Sequence, residues 1–234
     1  MKDAAMKKIS QIGKASLGCG PLIQPLSETA RPLRQQIFER VRAAGQMARV
    51  QLAKELCISP ASVTTITSEL IETGLLEEVQ PLREGEGGRG RPAVALRVRP
   101  NTRHVVGIKL SDREHTAVLV DFAGNMIAGE AIPRSPGAMG LDGILEAAER
   151  LLHRVCAKGG VDREAILALG LGVPGFVDSE AGVVHWSPVL SDRHVGLQAA
   201  LRARLGLTVF IDNDANLVTL AELWFGAGRK KKKK

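Results

Sequence analysis

The sequence contains no tyrosine, and aromatic residues make up only 3% of its 234 residues. Few rings are therefore available to stack on unpaired bases, which argues against a platform for single-stranded nucleic acid. Long apolar runs are also missing: none approaches the roughly 20 residues that a membrane-spanning helix needs. The N-terminal 20 residues carry lysines but lack the continuous apolar segment of a secretory signal. The sequence therefore predicts a cytoplasmic protein without a membrane partner.

Cysteine is equally scarce, with only Cys19, Cys57 and Cys156. Three isolated cysteines that lie far apart suit neither a disulfide framework nor a zinc cluster. No Gly-Thr-Gly phosphate loop occurs in the sequence either. No metal site and no cofactor are therefore expected.

The net charge of +7 is unevenly distributed along the chain. Residues 1–100 have 15 Lys+Arg against 10 Asp+Glu, whereas residues 101–229 have 12 against 15. This asymmetry predicts an N-terminal module that faces a polyanion and a C-terminal module that does not. The five lysines of residues 230–234 are interpreted separately, as a solvated tail or as an added or frameshifted end rather than a binding site.

The N-terminal part of the sequence predicts three helices. Residues 1–30 show no periodicity and are expected to form a flexible leader. Apolar residues then recur at helical spacing in segments 33–44 and 50–56. A third helix begins at Ser59-Pro60, where a serine N-cap precedes a proline at the first helical position, and it ends near Gly74.

Two short strands follow the third helix, with a glycine-rich basic loop between them. Residues 75–79 and 93–98 have strand-like patterns. Three helices, a strand, a basic loop and a second strand within about 70 residues are typical of a winged helix-turn-helix. The sequence therefore predicts a domain over residues 31–99 that binds double-stranded operator DNA.

Candidate DNA contacts come from the third helix and from the loop. Val63, Ile66 and Leu70 form the inward apolar stripe of this helix. Small hydroxyl side chains lie beside or opposite the stripe, which lets the helix approach base edges closely. In the loop, Arg-Gly-Arg-Pro resembles the core of AT-hook peptides and is slim enough for a narrow minor groove. Solvated hydroxyls, an ordinary hairpin and a protein-binding scaffold remain open alternatives. The candidates are Ser62, Thr64, Thr65, Ser68, Arg89 and Arg91.

After Pro100 the pattern changes to alternating strands and helices. Three strands come first, and the second and third of them are joined by a tight turn. The order βββαβαβα over residues 100–229 predicts one lobe of an actin-like, ribonuclease-H-like α/β ATPase fold, so the whole chain is expected to be α+β. The predicted strands are 105–110, 116–120, 125–132, 166–171 and 208–211, the helices are 141–156, 197–205 and 215–225, and Val183-Val184 is placed in a loop.

Several motifs in this second module resemble the ROK family of repressors and sugar kinases. They are Leu169–Asp178, Gly182–Val184, Trp186–Pro188, Asp212–Asn216 and Ala221–Gly226, and the resemblance extends over about residues 32–229. It implies that Asp214 corresponds to the base that acts on a sugar hydroxyl in the kinases of the family, and that Asn213 helps to hold the sugar.

Elementary chemistry is compatible with that role but also allows a simpler one. A carboxylate beside an amide at a strand-to-helix turn can accept from and donate to vicinal hydroxyls. Alternatively, Asp212, Asn213 and Asp214 cap the following helix. The two roles can coexist.

Two departures from the family pattern argue against a working kinase. In the first, Lys109 occupies the position where the resemblance places an aspartate, and the twin glycines that approach phosphate are missing. In the second, these 234 residues do not include the second phosphate loop, the cysteine-rich zinc motif and the further sugar contacts that the resemblance implies. The resemblance therefore implies a regulator, a repressor that responds to a sugar or phosphosugar effector and acts as a homo-oligomer rather than an enzyme. A sugar kinase with an accessory domain and a truncated fragment without effector response are the alternatives.

Overall fold

A computed structural model of the chain describes residues 18–22, 31–80, 94–134 and 137–230. They form two compact units. The N-terminal unit contains the described residues up to Thr102 together with residues 222–230, and the C-terminal unit is Arg103–Ala221. The boundary predicted between residues 99 and 100 lies three residues from the observed one.

The predicted end of the second domain, residue 229, differs from the observed division. The Gly20 N–H donates to the Trp224 carbonyl over 2.9 Å, and the Arg42 guanidinium lies 4.2 Å from the centre of the Trp224 ring. Residues 222–230 therefore belong to the N-terminal unit. Part of the segment expected to be a flexible leader also packs on this unit, since Cys19 is buried and its N–H donates to the Arg42 carbonyl over 3.0 Å.

The N-terminal unit has three helices and a small antiparallel sheet. The helices are α1 (Leu33–Ala44), α2 (Arg49–Leu56) and α3 (Pro60–Glu72), and the strands are β1 (Met47–Ala48), β2 (Leu76–Val79) and β3 (Ala95–Val98). The sheet order is β1-β3-β2. The three predicted helices and the two predicted strands are present among the described residues, and the two-residue strand β1 was not predicted.

The core of this unit differs from the predicted stripe of α3 at one position. Val63 and Leu70 are buried as expected, but Ile66 is half-buried and Thr67 is completely buried. Thr67 lies four residues after Val63 and therefore on the same helix face. Its hydroxyl accepts a hydrogen bond of 2.9 Å from Arg49 Nε, which satisfies the buried oxygen.

The C-terminal unit is a five-stranded mixed sheet with helices and a separate hairpin. The strands are β4 (His104–Lys109), β5 (Glu114–Asp121), β6 (Met126–Pro133), β7 (Ile166–Val173), β8 (Phe176–Asp178), β9 (Val183–Trp186) and β10 (Thr208–Asn213), and the helices are α4 (Leu141–Gly159), α5 (Leu197–Leu205) and α6 (Asp214–Trp224). The sheet order is β10-β7-β4-β5-β6, and β8 pairs with β9. Neighbours among β10, β7 and β4 are parallel, whereas β4, β5 and β6 form an antiparallel meander.

Three details of the predicted strands were wrong. The glycine-containing segment was expected to end the fourth strand of this module at Leu171, but β7 continues to Val173 because Gly172 pairs with both Lys109 and Asp212. The loop expected around Val183-Val184 is strand β9. Strand β8 was not predicted either. Neither of these short strands shows a clear apolar–polar alternation, which is the pattern that identifies a strand from the sequence. With both strands included, the observed order is βββαβββαβα instead of the predicted βββαβαβα.

One face of the five-stranded sheet forms the core. Alternate residues of the strands, such as Leu169 and Leu171 on β7, are fully buried in a cluster that includes α4 and α5. In contrast, α6 has no buried residue, and its Val218 is 57% exposed. Phe210 on β10 is 59% exposed. Among the described residues, none of the helices combines the length and the apolar character required to cross a membrane.

Candidate functional site

The start of α3 is held by a hydroxyl cap. Ser59 Oγ accepts a hydrogen bond of 3.0 Å from the Ser62 N–H and lies 2.8 Å from Ser62 Oγ. Pro60 occupies the first turn, where a missing N–H costs nothing. This cap fixes the N-terminal half of α3, which carries most of the predicted DNA contacts.

The four predicted hydroxyl residues of α3 differ in their surroundings. Ser62 is half-buried and used in the cap, and Thr64 is exposed but donates to the Pro60 carbonyl over 2.9 Å. Thr65 is exposed and Ser68 is half-buried. Thr65 has no hydrogen-bond partner among the described residues, so its hydroxyl and methyl group are both available to a ligand.

Charge divides α3 into two halves. Ser68 borders a shallow groove whose charged lining consists of Arg49, Glu72, Glu77, Glu78 and Arg99. Arg49 is paired with Glu78 at 2.8 Å, so this groove carries no excess of positive charge. A polyanion would therefore meet the N-terminal half of α3, at Thr64 and Thr65, more favourably than the half that contains Ser68. Arg89 and Arg91 lie outside the described residues.

A second polar cluster lies at the carboxyl ends of three parallel strands. Lys109 ends β4, Gly172 lies near the end of β7, and Asp212 and Asn213 end β10. The ladder pairs Gly172 with Lys109 on one side and with Asp212 on the other, so these ends meet at one edge. This is the edge at which open α/β sheets bind their ligands.

The side chains of Asp212 and Asn213 form hydrogen bonds with neighbouring residues of the protein. Asn213 Oδ1 accepts from the Ala215 N–H over 2.9 Å and so caps α6, while its Nδ2 donates to the Gly175 carbonyl over 2.7 Å. Asp212 Oδ1 accepts from the Asn213 N–H and from Asn216 Nδ2. The helix-capping alternative is thus present in the structure for Asn213, whereas Asp212 binds the backbone that precedes the helix and the Asn216 side chain.

Asp214 has a different environment. Its Oδ2 lies 3.6 Å from Lys109 Nζ, and no other hydrogen bond or ion pair of its carboxylate occurs among the described residues. The Asp214 side chain is 27% exposed and that of Lys109 is 52% exposed. Together they present an anionic acceptor and a cationic donor to solvent at the end of the sheet.

The β8–β9 hairpin borders this cluster. Gly175 precedes β8 with φ of +123°, and a Cβ added there would lie 2.2 Å from the Trp186 carbonyl oxygen. Only glycine fits this turn. The turn places the Gly175 carbonyl within hydrogen-bond distance of Asn213 Nδ2. The cross-strand pair Phe176 and Trp186 is exposed.

The sequence singled out Lys109, Asn213 and Asp214 individually, and the structure brings them together. Sequence reasoning did not identify the ion pair of Lys109 with Asp214 or the contact of Asn213 with Gly175. Both contacts depend on which strands are neighbours in the sheet, and linear spacing carries no such signal. Within the described parts of the chain, no group of three or more His, Cys, Asp or Glu side chains is arranged to hold a metal ion.

Residues 105–233 match the model of the ROK family. The DNA-binding transcriptional dual regulator NagC of Escherichia coli K12 is 28% identical over 93% of this chain and 51% of its own length. A crystal structure of a ROK family transcriptional regulator, described as a homologue of the E. coli Mlc protein, covers 81% of this chain and 47% of that one. It has a TM-score of 0.63 and 27% sequence identity.

A kinase also matches, over a shorter stretch. The glucokinase of Thermotoga maritima is 48% identical over 69 residues, which are 29% of this chain and 22% of the kinase. The chain spans about half the length of the regulators that it matches.

Proposed function

The chain belongs to the ROK family, and from that membership we propose that it is a sugar-responsive DNA-binding transcriptional regulator that represses its target promoter. The observation that carries the proposal is the extent of the similarity to NagC. It covers nearly the whole chain and therefore includes the N-terminal unit as well as the ROK-type α/β unit. The solved regulator matches over a similar extent.

The N-terminal unit is proposed to be a winged helix-turn-helix in which α3 is the recognition helix. In its support, α2 and α3 are joined by a tight turn in which Cys57 adopts a left-handed conformation with φ of 53°. The antiparallel strands β2 and β3 are connected by residues 80–94, which form the proposed wing. Such a unit places the N-terminal half of its recognition helix in the major groove.

Base contact is assigned to Thr64 and Thr65, and backbone or minor-groove contact to the wing. α3 contains no lysine or arginine, so attraction to phosphate has to come from elsewhere in the unit. Arg89 and Arg91 in the wing provide guanidinium groups that suit the negative potential of a narrow minor groove. Ser62 acts through the helix cap, and Ser68 is a peripheral contact.

The effector site is proposed at the sheet edge formed by Lys109, Asn213 and Asp214. A sugar offers vicinal hydroxyls, which can donate to the Asp214 carboxylate and accept from the Lys109 ammonium. A phosphosugar would gain additional attraction from Lys109. Effector binding lowers operator affinity only if it favours the conformation with weaker DNA affinity. A homo-oligomer that binds paired half-sites would gain both affinity and spacing specificity.

We also propose that the chain is not an enzyme. A general base has to accept a proton from a bound hydroxyl in hydrogen-bond contact. At Asp214 the Lys109 ammonium competes for the same carboxylate oxygen. A sugar kinase is the second candidate, favoured by the short but closely similar stretch shared with a glucokinase.

Selection of bound duplexes from a random library at low ionic strength tests DNA binding. Thr65→Ala should then weaken binding to the selected sequence by about tenfold, whereas Thr208→Ala, at an exposed position of β10, should leave affinity unchanged. Replacing both Arg89 and Arg91 with alanine should weaken binding most on A·T-rich flanks. Failure to retain any duplex would overturn the proposal.

Two further assays separate the remaining roles. N-acetylglucosamine and xylose, the sugars named in the descriptions of two similar repressors, serve as initial probes in a competition assay with the selected duplex. Release of DNA that depends on Asp214 would support the effector site. Sugar-dependent ATP consumption that Asp214→Asn abolishes would instead establish the kinase.

A further inference from the structure

Two histidines face each other next to the β8–β9 hairpin. His185 Nδ1 lies 3.0 Å from His194 Nδ1, and the two ring planes are inclined at 74°. The residues occupy directly opposed positions, because the bridge between Val184 and Val195 is antiparallel and the His194 N–H donates to the His185 carbonyl. Two of the five histidines of the chain therefore have imidazole nitrogens within hydrogen-bond distance of each other.

We propose that His185 and His194 form a binding site for a divalent late transition-metal ion such as Zn²⁺ or Ni²⁺. Neutral imidazole is the preferred nitrogen ligand of these ions. Two bonds of about 2.0–2.1 Å to nitrogens 3.0 Å apart enclose an angle of about 95°, close to the angle between neighbouring ligands in square-planar or octahedral coordination. Opening the pair by about 0.3 Å reaches the tetrahedral angle that Zn²⁺ prefers.

The backbone holds the pair in a conformation that costs energy. His194 has φ of 55°, and only one other described non-glycine residue, Cys57, has a positive φ. This left-handed conformation is unfavourable for a residue with a Cβ. It is maintained here by the hydrogen bonds on both sides of the Val184–Val195 bridge. Strain of this kind concentrates at positions that a functional arrangement requires.

An aromatic contact with Phe176 also orients the side chain of His185. The Phe176 ring lies 5.2 Å from the His185 ring at an angle of 32°. His185 is half-buried, whereas His194 is exposed, so a metal ion could reach the pair from solvent and complete its coordination with water. The aromatic contact and the backbone bridge together fix the donor atoms before the metal arrives, which lowers the entropic cost of binding.

The proton balance of binding is simple. In the metal-free pair, one Nδ1 carries the proton of the hydrogen bond and the other accepts it. When the metal ion binds both Nδ1 atoms, that proton moves to Nε2 of the same ring, so two neutral imidazoles remain neutral.

The site borders the proposed effector site without depending on it. Phe176 follows Gly175, whose carbonyl accepts from Asn213 Nδ2. Metal binding would therefore stabilise the hairpin beside Asn213, whether or not a sugar binds there.

Calorimetric titration of chelator-stripped protein with Zn²⁺, and separately with Ni²⁺, tests the inference. Cys57→Ser serves as the common background because the Cys57 thiol is exposed and would compete for metal. We expect one equivalent to bind, and either His185→Asn or His194→Asn to abolish that binding. Asparagine tolerates the left-handed conformation at residue 194 better than other non-glycine residues. The control is His153→Asn, which removes a lone exposed histidine on α4 and should change nothing.

A second measurement uses the protein with all five histidines intact, so its result does not depend on whether the variants fold. NMR spectra of the histidine ring protons should show two of the five imidazoles shifting when Zn²⁺ is added, and the same two should be those lost in the variants. Stoichiometric binding that survives both substitutions, or that disappears with His153→Asn, would overturn the site.

Discussion

Lys109 Nζ lies 3.6 Å from Asp214 Oδ2, so the last residue of β4 reaches across the end of β7 to the first residue of α6. This contact joins two positions that are separated by about a hundred residues in the chain and by one strand in the sheet. Both side chains are partly exposed, and ion pairs of this kind contribute at most about 1 kcal/mol. The pair is therefore better understood as a feature of the binding edge than as a stabilising element.

Replacing Lys109 with methionine should separate these two roles. Because the pair is exposed, the free energy of unfolding should change by less than about 0.5 kcal/mol in urea titrations. If the ammonium contacts the effector, affinity for the sugar that releases DNA should fall by about 10- to 150-fold, since hydrogen bonds to charged groups are worth about 1.5–3 kcal/mol.

Lys158→Met is the matched control for this experiment. Lys158 is 41% exposed and paired with Glu130 at 2.8 Å. It should show a similarly small change in stability and no change in sugar affinity. Unaltered sugar affinity in the Lys109 variant would remove Lys109 from the effector site.

Asn213 should respond to substitution in a way that depends on which of its hydrogen bonds is lost. Asn213→Ala removes both the cap of α6 and the bond to Gly175, and we expect a loss of about 2 kcal/mol in the free energy of unfolding. Asn213→Asp keeps the capping oxygen but loses the donor to the Gly175 carbonyl. Its loss of stability should therefore be smaller at α6 and larger at the β8–β9 hairpin. Hydrogen exchange of the two segments measures the difference. Equal protection of α6 in the two variants would contradict the capping role.

Sequence periodicity was sufficient for most elements of both units. The helices α1 to α6 carry enough turns for their apolar spacing to be recognised, and the Ser59-Pro60 signal located the start of α3 correctly. Strands β1, β8 and β9 were missed because none of these short segments shows a clear apolar–polar alternation.

The chemistry of the site was only partly predictable for a different reason. Asp214 and Lys109 were recognisable by their residue type and by the family resemblance, but their contact follows from the strand order β10-β7-β4. The proximity of His185 and His194 likewise follows from a single antiparallel bridge. Pairings of this kind are tertiary, and a local pattern does not encode them. The burial of Thr67 in the core was likewise not predictable from local sequence, since it depends on a hydrogen bond from Arg49.

Two glycines of the C-terminal unit should tolerate alanine very differently. Gly175→Ala places a Cβ against the Trp186 carbonyl and imposes a positive φ on alanine, so we expect a loss of more than about 2 kcal/mol. Gly170 is its control: a Cβ there would meet no heavy atom of the described residues within 4 Å. Gly170→Ala should therefore be neutral or slightly stabilising, by up to about 1 kcal/mol. Chemical denaturation measures both, and equal stability of the two variants would refute the close approach at the hairpin.

Stability should also decrease in mild acid because of His115. This side chain is 1% exposed, and its Nδ1 accepts from the Ser111 N–H at 3.3 Å. Burial lowers the pKa of His115 below its usual value of 6.5, and the positive charges of Arg134 and Arg150 lower that pKa further. The unfolded chain therefore binds a proton at a pH at which the folded chain does not.

Since the unfolded state binds more protons between the lowered pKa and 6.5, the free energy of unfolding should fall as the pH decreases through that interval. His115→Asn can still accept from Ser111 but does not titrate, so its stability should depend less on pH between about 7.5 and 5.5. Substitution of the exposed His153 by asparagine should leave the wild-type pH dependence intact. Urea unfolding at the two pH values distinguishes these outcomes, and an undiminished pH dependence in the His115 variant would show that another group is responsible for the acid sensitivity.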